Sequence, residues 1–260
     1  MTRALWRAEG FFLIPVVRSG SAEQGELIWS PGDKTPEIGP VAAIVALWGV
    51  TPGPGRNLAD NARLALSAMD LGAALGAGAV VHCSSAAVYR PSAEPIKETD
   101  LPAPASPYGQ AKLEMEQAIA AHRKPGGPRQ IVLRIGNVAG ADSLFGNLQM
   151  NGHITLDRFS DGLGPSRSYI APGDLVRVIE ALVQSPEADG TYNVSAARPT
   201  AMAEIAGVCQ TAVTWRAAPE AAAQMVWLDT VRLGRVVTLA PNAHEAAHLV
   251  EGARDSGVWP

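Results

Sequence analysis

The chain has 260 residues, 47% of them hydrophobic and 18% charged, a balance that excludes a disordered polypeptide. Its 21 Lys and Arg against 25 Asp and Glu leave a formal charge of −4, so bulk charge offers nothing to a nucleic-acid backbone. Two cysteines, Cys83 and Cys209, cannot build a disulfide framework, and the longest apolar run, Val41–Val50, is too short for a bilayer, which takes about 20 residues.

At the N-terminus Arg3 and Arg7 precede the apolar stretch Phe11–Val17, the layout of a leader peptide. Glu9 interrupts the basic stretch and no A-x-A cleavage site follows, so a cytoplasmic protein is expected. In chain order, Phe11–Val17, Glu26–Trp29 and Val41–Trp48 read as strands. Leu58–Leu75 is predicted as a helix, followed by a strand at Ala79–Ser84. A second helix spans Pro107–His122, with Ser106 as its N-cap, proline at its first position and Pro125-Gly126-Gly127 as its stop. Strands at Gln130–Ile135 and Thr191–Val194 flank a helix at Gly173–Gln184, and shorter helices follow at Ala201–Val208 and Ala243–Ala253. Several strands are apolar on both faces, as in a parallel sheet covered on both sides. The alternation predicts an α/β fold with a doubly wound parallel sheet.

The chemistry-bearing residues begin at the end of strand Ala79–Ser84, in Ser84-Ser85-Ala86-Ala87-Val88-Tyr89. They continue in Ser106-Pro107-Tyr108-Gly109-Gln110-Ala111-Lys112. Tyr108 and Lys112 lie four apart at a helix start and so share a face, where an ammonium would lower a phenol pKa that is ordinarily about 10. A serine at the end of a neighbouring strand would hydrogen-bond the same substrate oxygen, since sheets of this class bind ligands at those strand ends. The bland alternative is a solvated helix face and a strand that merely ends in serines.

These segments resemble the extended short-chain dehydrogenase/reductases of the nucleotide-sugar epimerase/dehydratase type. "VVHCSSAAVY", "ETDLPAPASPYGQAKLEMEQ", "LRIGNVAG", "SRSYIAPGDLVRVIEALV" and "GTYNVSAARPTAMAEIA" follow the family's order, covering roughly residues 10 to 205. The resemblance implies a Rossmann-like fold binding NAD or NADP, with Tyr108 as catalytic acid/base and Lys112 on the nicotinamide ribose. It further implies that Ser85 orients the substrate oxygen and that Asn137 lies on the substrate side. It divides the chain into a nucleotide-binding core at 1–140, to which 168–198 returns, and a smaller substrate lobe at 141–167 and 199–260. A small-molecule substrate and a homodimer are the expected partners, without nucleic acid or membrane.

The departures are informative. The family's G-x-x-G-x-x-G turn, whose backbone N–H groups cradle a pyrophosphate, is absent from the 260 residues. "LWRAEGFFLIPVVRSG" looks like the end of the family's first helix and its second strand, so the chain is expected to begin after the first strand and loop. Phe11–Val17 and Val41–Trp48 should then pair directly, and the dinucleotide should bind poorly. Gly53-Pro54-Gly55 is a weak substitute cradle, because Pro54 lacks a donor and Leu58 stands where a third glycine belongs. Arg18, at a strand end, suits a 2′-phosphate and leans towards NADP, or is simply solvated. Asp33 matches an aspartate near the adenine, or serves a turn. Arg167 meets an anionic substrate group or lies on the surface, and Ala171 replaces the family's histidine.

His244-Glu245-Ala246-Ala247-His248 is a literal H-E-x-x-H on a predicted helix. Glu251, the nearest third ligand, lies about 10 Å along that helix from His244, too far for one ion, so no metal is expected. Two functions follow. One is an NAD(P)-dependent epimerase, dehydratase or reductase acting on a hydroxyl or carbonyl carbon. The other is a cofactor-poor binding or regulatory relative, or an inactive fragment, which the missing glycine loop favours.

Overall fold

The computed structural model describes Trp6, residues 11–18 and residues 25–260. Arg3, Arg7 and Glu9, which bear on the leader question, lie outside the described residues. In chain order the first elements are β1 (Val16–Val17) and β2 (Leu27–Ile28), paired in parallel. Then come β3 (Ala43–Ala46), helix α1 (Asp60–Ala74), β4 (Ala79–Ser85), helix α2 (Pro107–Ala121) and β5 (Arg129–Ile135). The short β6 (Asn137–Val138) and helix α3 (Ser143–Asn151) precede β7 (His153–Arg158), β8 (Ser166–Arg167) and β9 (Tyr169–Ile170). Helix α4 (Pro172–Gln184), β10 (Gly190–Val194), β11 (Thr200–Ala201) and helix α5 (Met202–Val208) follow. The remaining elements are β12 (Ala212–Ala217), β13 (Met225–Val226) and helix α6 (Ala246–Asp255).

The central sheet runs β10-β5-β4-β3, all parallel. β4 and β5 are buried on both faces, as their near-continuous apolar runs require. On one face Leu175, Val178, Ile179 and Leu182 of α4, spaced as one helical stripe, pack on Ala79, Val81, Ile131 and Leu133. Each such aliphatic side chain contributes roughly 1.5–3 kcal/mol when fully buried. On the other face α1 and α2 cover the sheet through Ala65, Ala68, Met69, Met115 and Ile119.

The expected pairing of Phe11–Val17 with Val41–Trp48 does not form. Only Val16 and Val17 of the first segment are extended in register, and their partner is β2. β3 pairs with β4 on one side and, among the described residues, with no strand on the other. Side chains make the junction in place of backbone. Trp29, just past β2, stacks on Trp48, just past β3, with ring centroids 6.0 Å apart. Leu27, Ile38, Val41 and Ile44 fill in around them, against Leu71 of α1 and Leu75 at its C-cap. Trp6 packs beside Ala43, Val45 and Leu47 against the core that α4 covers. Both indole N–H groups of the stacked pair are buried without an acceptor among the described residues. Each such orphan costs about 1–3 kcal/mol.

A second core gathers Phe145, Leu148, Ile154, Leu156, Ile205, Leu249 and Trp259. β9 joins the two cores by strand alternation: Tyr169 belongs to the second and Ile170 to the first. Around it, β7 pairs in parallel with β12, β8 lies between β11 and β13, and β6 pairs with β9. Among the described residues no helix is long and apolar enough to cross a membrane.

Candidate active site

Two local structures bring Ser85 and Tyr108 together at the carboxyl edge of the sheet. β4 ends at Ser85, whose Oγ accepts the N–H of Ala87 at 3.1 Å and so caps a single 3₁₀ turn, Ala86–Val88. Across from it, Ser106 caps α2 by accepting the N–H of Gly109 at 3.1 Å, with Pro107 at the first helical position. Gly109 is what lets these turns touch, since a methyl group there would be driven into the Ala87 carbonyl oxygen. The result sets the Ser85 hydroxyl beside the half-buried Tyr108 hydroxyl, near enough to favour its ionised form.

Lys112, one helical turn on, is buried, and its Nζ donates to the Cys83 carbonyl at 2.8 Å. The same Nζ stands 5.8 Å from the centroid of the Tyr108 ring. Burial holds the Lys112 pKa below its usual range, against the opposing influence of Cys83 and Glu116. The expectation that the ammonium lowers the Tyr108 pKa is corrected here. Burial pushes the phenol up, Cys83 adds to the rise, and the Ser85 hydroxyl only partly offsets it.

Behind this edge lies a buried network that spacing alone did not reveal. Ser84, which faces away from Ser85 by strand alternation, donates to Glu116 Oε1 at 2.5 Å. Arg134 on β5 reaches both Glu116 oxygens, the shortest contact being 2.7 Å, and donates to the Tyr89 hydroxyl at 2.6 Å. Tyr89 in turn donates to Asn193 on β10 at 2.9 Å. Burial raises the Tyr89 pKa to about 12, so it remains a donor at neutral pH. Asn61 is a second residue the sequence did not flag. Buried on α1, it ties down the β3–α1 loop through the N–H and C=O of Val50.

The other expected residues are distributed as follows. Asn137 follows β5, two residues past Ile135, the register partner of Ser85, and its amide donates to Asp142 at 2.6 Å. The Arg167 guanidinium donates to the backbone carbonyls of Ser166, Ala223 and Gln224. Asp33 accepts the N–H of Ser30 at 2.7 Å and so serves a turn. Arg18 is exposed at the end of β1, its carbonyl accepting from Ser30 Oγ. The H-E-x-x-H stretch does not lie on one helix: α6 begins at Ala246, leaving His244 in the turn before it. His248 Nε2 instead contacts Asp174 Oδ2 at 2.8 Å. A cavity of about 750 Å³ beside His244, Arg198 and Glu204 contains none of Ser85, Tyr108, Lys112 or Asn137.

Lys112 is the residue that would meet the nicotinamide end of a dinucleotide. It has its ammonium at the sheet edge beside Gly49, where an added Cβ would press on it at 3.0 Å. For the pyrophosphate the described residues offer no matching cradle. The β3–α1 loop is exposed around Gly53-Pro54-Gly55 and is closed on itself by Arg56, which donates to Thr51 and to the Gly53 carbonyl.

The model of the NAD dependent epimerase/dehydratase family matches residues 34–195, more than half of the chain. The chain belongs to this family. The family member described here is 40% identical over 78 residues to a UDP-glucose 4-epimerase of Rhizobium leguminosarum bv. trifolii, covering 30% of this chain and 24% of the relative. It is 47% identical over 75 residues to the UDP-glucose 4-epimerase of Azospirillum brasilense, covering 28% and 22% respectively. The matched stretch thus spans only about a quarter of these relatives. Among solved structures, MoeE5 in complex with UDP-glucuronic acid and NAD superposes with a TM-score of 0.71 at 20% identity, over 94% of this chain and 91% of that one. The UDP-glucose 4-epimerase of Thermus thermophilus in complex with NAD gives 0.66 at 19% identity, over 82% and 78%. At these identities the structural likeness establishes the Rossmann-like fold.

Proposed function

We propose that this epimerase/dehydratase-family chain carries out NAD(P)-dependent chemistry at a hydroxyl- or carbonyl-bearing carbon of a sugar nucleotide, as an epimerase, dehydratase or reductase. The observation that carries the proposal is the convergence of Ser85, Tyr108 and Lys112 at one sheet edge, with the Lys112 ammonium 5.8 Å from the tyrosine ring. When bound, the nicotinamide supplies the hydride acceptor and donor. Tyr108 would exchange the proton of the substrate hydroxyl, Ser85 would fix that oxygen by a second hydrogen bond, and Lys112 would favour the phenolate as it forms. Because burial raises the Tyr108 pKa in the free protein, the lysine charge has more to offset than spacing alone suggested. Asn137, at the same sheet edge, is assigned to the substrate side.

Between the two dinucleotides, family membership supports NAD, and the exposed Arg18 is the residue that would accept a 2′-phosphate. Titration with each, on the wild type and on Arg18→Ala, separates them. A homodimer remains part of the proposal and is read from mass in solution.

Tyr108→Phe tests the chemistry. It keeps the ring, so turnover should fall about 10²–10⁴-fold while dinucleotide affinity is unchanged. Lys112→Ala should damage both. A Tyr108→Phe protein of wild-type activity would remove the tyrosine from the mechanism. The second reading, a cofactor-poor binding relative, is favoured by the β3–α1 loop, which Arg56 closes on itself in place of a pyrophosphate cradle. Calorimetric titration of the 260-residue chain showing no dinucleotide binding, with retained sugar-nucleotide binding, would put that reading ahead.

A further inference from the structure

Asn193 is fully buried on β10, where three other segments of the chain meet it. Its Nδ2 donates to the carbonyls of Ile96 at 2.8 Å and Asp229 at 3.0 Å, and its backbone N–H donates to Glu98 Oε1 at 2.9 Å. Its Oδ1 accepts the Tyr89 hydroxyl at 2.9 Å, and that hydroxyl accepts from Arg134 Nη1 at 2.6 Å. The partners fix the direction of each bond. Carbonyls only accept, so the nitrogen of Asn193 faces Ile96 and Asp229, and its oxygen faces Tyr89. A guanidinium only donates, so the one proton of the Tyr89 hydroxyl goes to Asn193.

Tyr89 is where this chain of bonds reaches the candidate active site. It closes the 3₁₀ turn that Ser85 opens, its N–H donating to the Ala86 carbonyl at 3.0 Å. The same turn carries the Ala87 carbonyl that lies against Gly109 of α2. It also carries the Val88 carbonyl, which accepts the N–H of Ala103 on the approach to α2. The turn therefore places both the serine and the start of the helix that bears Tyr108. A single 3₁₀ turn has poor hydrogen-bond geometry of its own, so its position is set from outside. The buried Tyr89 side chain does this, with the Arg134 guanidinium 4.8 Å from its ring centroid and its hydroxyl bonded on two sides.

We infer that Tyr89 and Asn193 are positioning residues for the proposed reaction: the Arg134–Tyr89–Asn193 chain of hydrogen bonds holds the turn after β4 so that Ser85 and Tyr108 meet one substrate oxygen. The inference rests on the sugar-nucleotide reading above and goes beyond it. Both side chains are buried behind the sheet edge, so they act on the reacting carbon through Ser85 and Tyr108. A misplacement of about 1 Å at such a site can cost about 10²-fold in rate.

Tyr89→Phe keeps the ring and removes only the hydroxyl. With UDP-glucose and NAD as probes, kcat should fall about ten- to a hundredfold while KM changes by less than about threefold, since the binding groups stay and only the alignment is lost. Asn193→Ala, which takes away the acceptor, should lower kcat in the same direction. Leu182→Ala, in the core under α4, should lower the denaturant midpoint and leave kcat unchanged, which separates alignment from stability. Hydrogen exchange in the ligand-free proteins reads the turn without any turnover. The Ala87 amide, bonded to Ser85 Oγ, should exchange about tenfold faster in Tyr89→Phe, with smaller changes at the interior amides of β4 and β5. If neither site variant folds, the wild type still decides: its Tyr89 hydroxyl proton, followed by NMR on ring-labelled tyrosine, should exchange slowly. A freely exchanging Tyr89 hydroxyl, wild-type kcat or an unchanged Ala87 amide in Tyr89→Phe, or an equal fall of kcat in Leu182→Ala would overturn the inference. Wild-type protein that turns over no UDP-sugar, with the Ala87 amide still released in Tyr89→Phe, would instead overturn the sugar-nucleotide reading and support the positioning of the turn.

Discussion

Acidification should destabilise this protein through His82, a residue inside the central sheet. Burial, with the Lys112 charge adding to it, lowers the His82 pKa from 6.5 to about 4. Its Nε2 lies 3.2 Å from the Met69 sulfur, and its Nδ1 is buried without a partner among the described residues. The folded pKa is depressed, so below 6.5 the unfolded chain takes up a proton that the native state refuses. Stability from this group is therefore complete above pH 6.5 and is lost as pH falls towards 4. The difference of 2.5 pH units corresponds to about 3 kcal/mol in total, of which about 2 kcal/mol is gone by about pH 5. Urea unfolding at about pH 7.5, 6 and 5, on the wild type and on His82→Leu, measures it. Leucine removes the titration and leaves no orphan nitrogen, so the variant should match or exceed the wild type at neutral pH and lose less on acidification. Equal losses in the two proteins would refute the assignment.

Glu116→Gln should cost about 3–5 kcal/mol, because it leaves the Arg134 guanidinium buried without its counter-charge. Denaturant midpoints read this directly, and the slope of the transition should not change. Gly109→Ala should force apart the turn after β4 and the start of α2, lowering stability by about 1–3 kcal/mol. It should also cost turnover, since the approach of Tyr108 to Ser85 depends on that contact; stable protein of full activity would contradict this. His248→Ala should remove a partner of Asp174 without altering the metal content of the purified protein, as elemental analysis would establish.

The sheet was legible where single segments carry their own instructions. β4, β5, α2 and α4 follow from apolar runs of the right length and, for α2, from the Ser106-Pro107 start. The helix α3 escaped because Gly146, Asn147 and Asn151 weaken its propensity; its signal was the cap at Asp142. β7 escaped too, although its signal was there in the alternation of Ile154 and Leu156, which are buried, with His153 and Thr155, which are exposed. The fate of the Phe11–Val17 segment was not readable, since strand partners are chosen by tertiary packing. Within the site, Ser85, Tyr108 and Lys112 share local spacing and stood out. Glu116, Arg134 and Tyr89 did not, because they meet only once the sheet has formed, and the same holds for Asn193.

The stacked indoles between β2 and β3 divide the protein's response to solvent into two levels. The amides of Leu27 and Trp29 bond only to the carbonyls of Pro15 and Val17. Among the described residues, separating that ribbon from the rest breaks no strand pairing with β3. A sub-global opening that gives up the Trp29–Trp48 contact would thus expose those amides while the β3–β4–β5–β10 ladder stays closed. Hydrogen exchange should accordingly sort the backbone into a weakly protected ribbon and a sheet whose interior amides are released only when the whole protein unfolds.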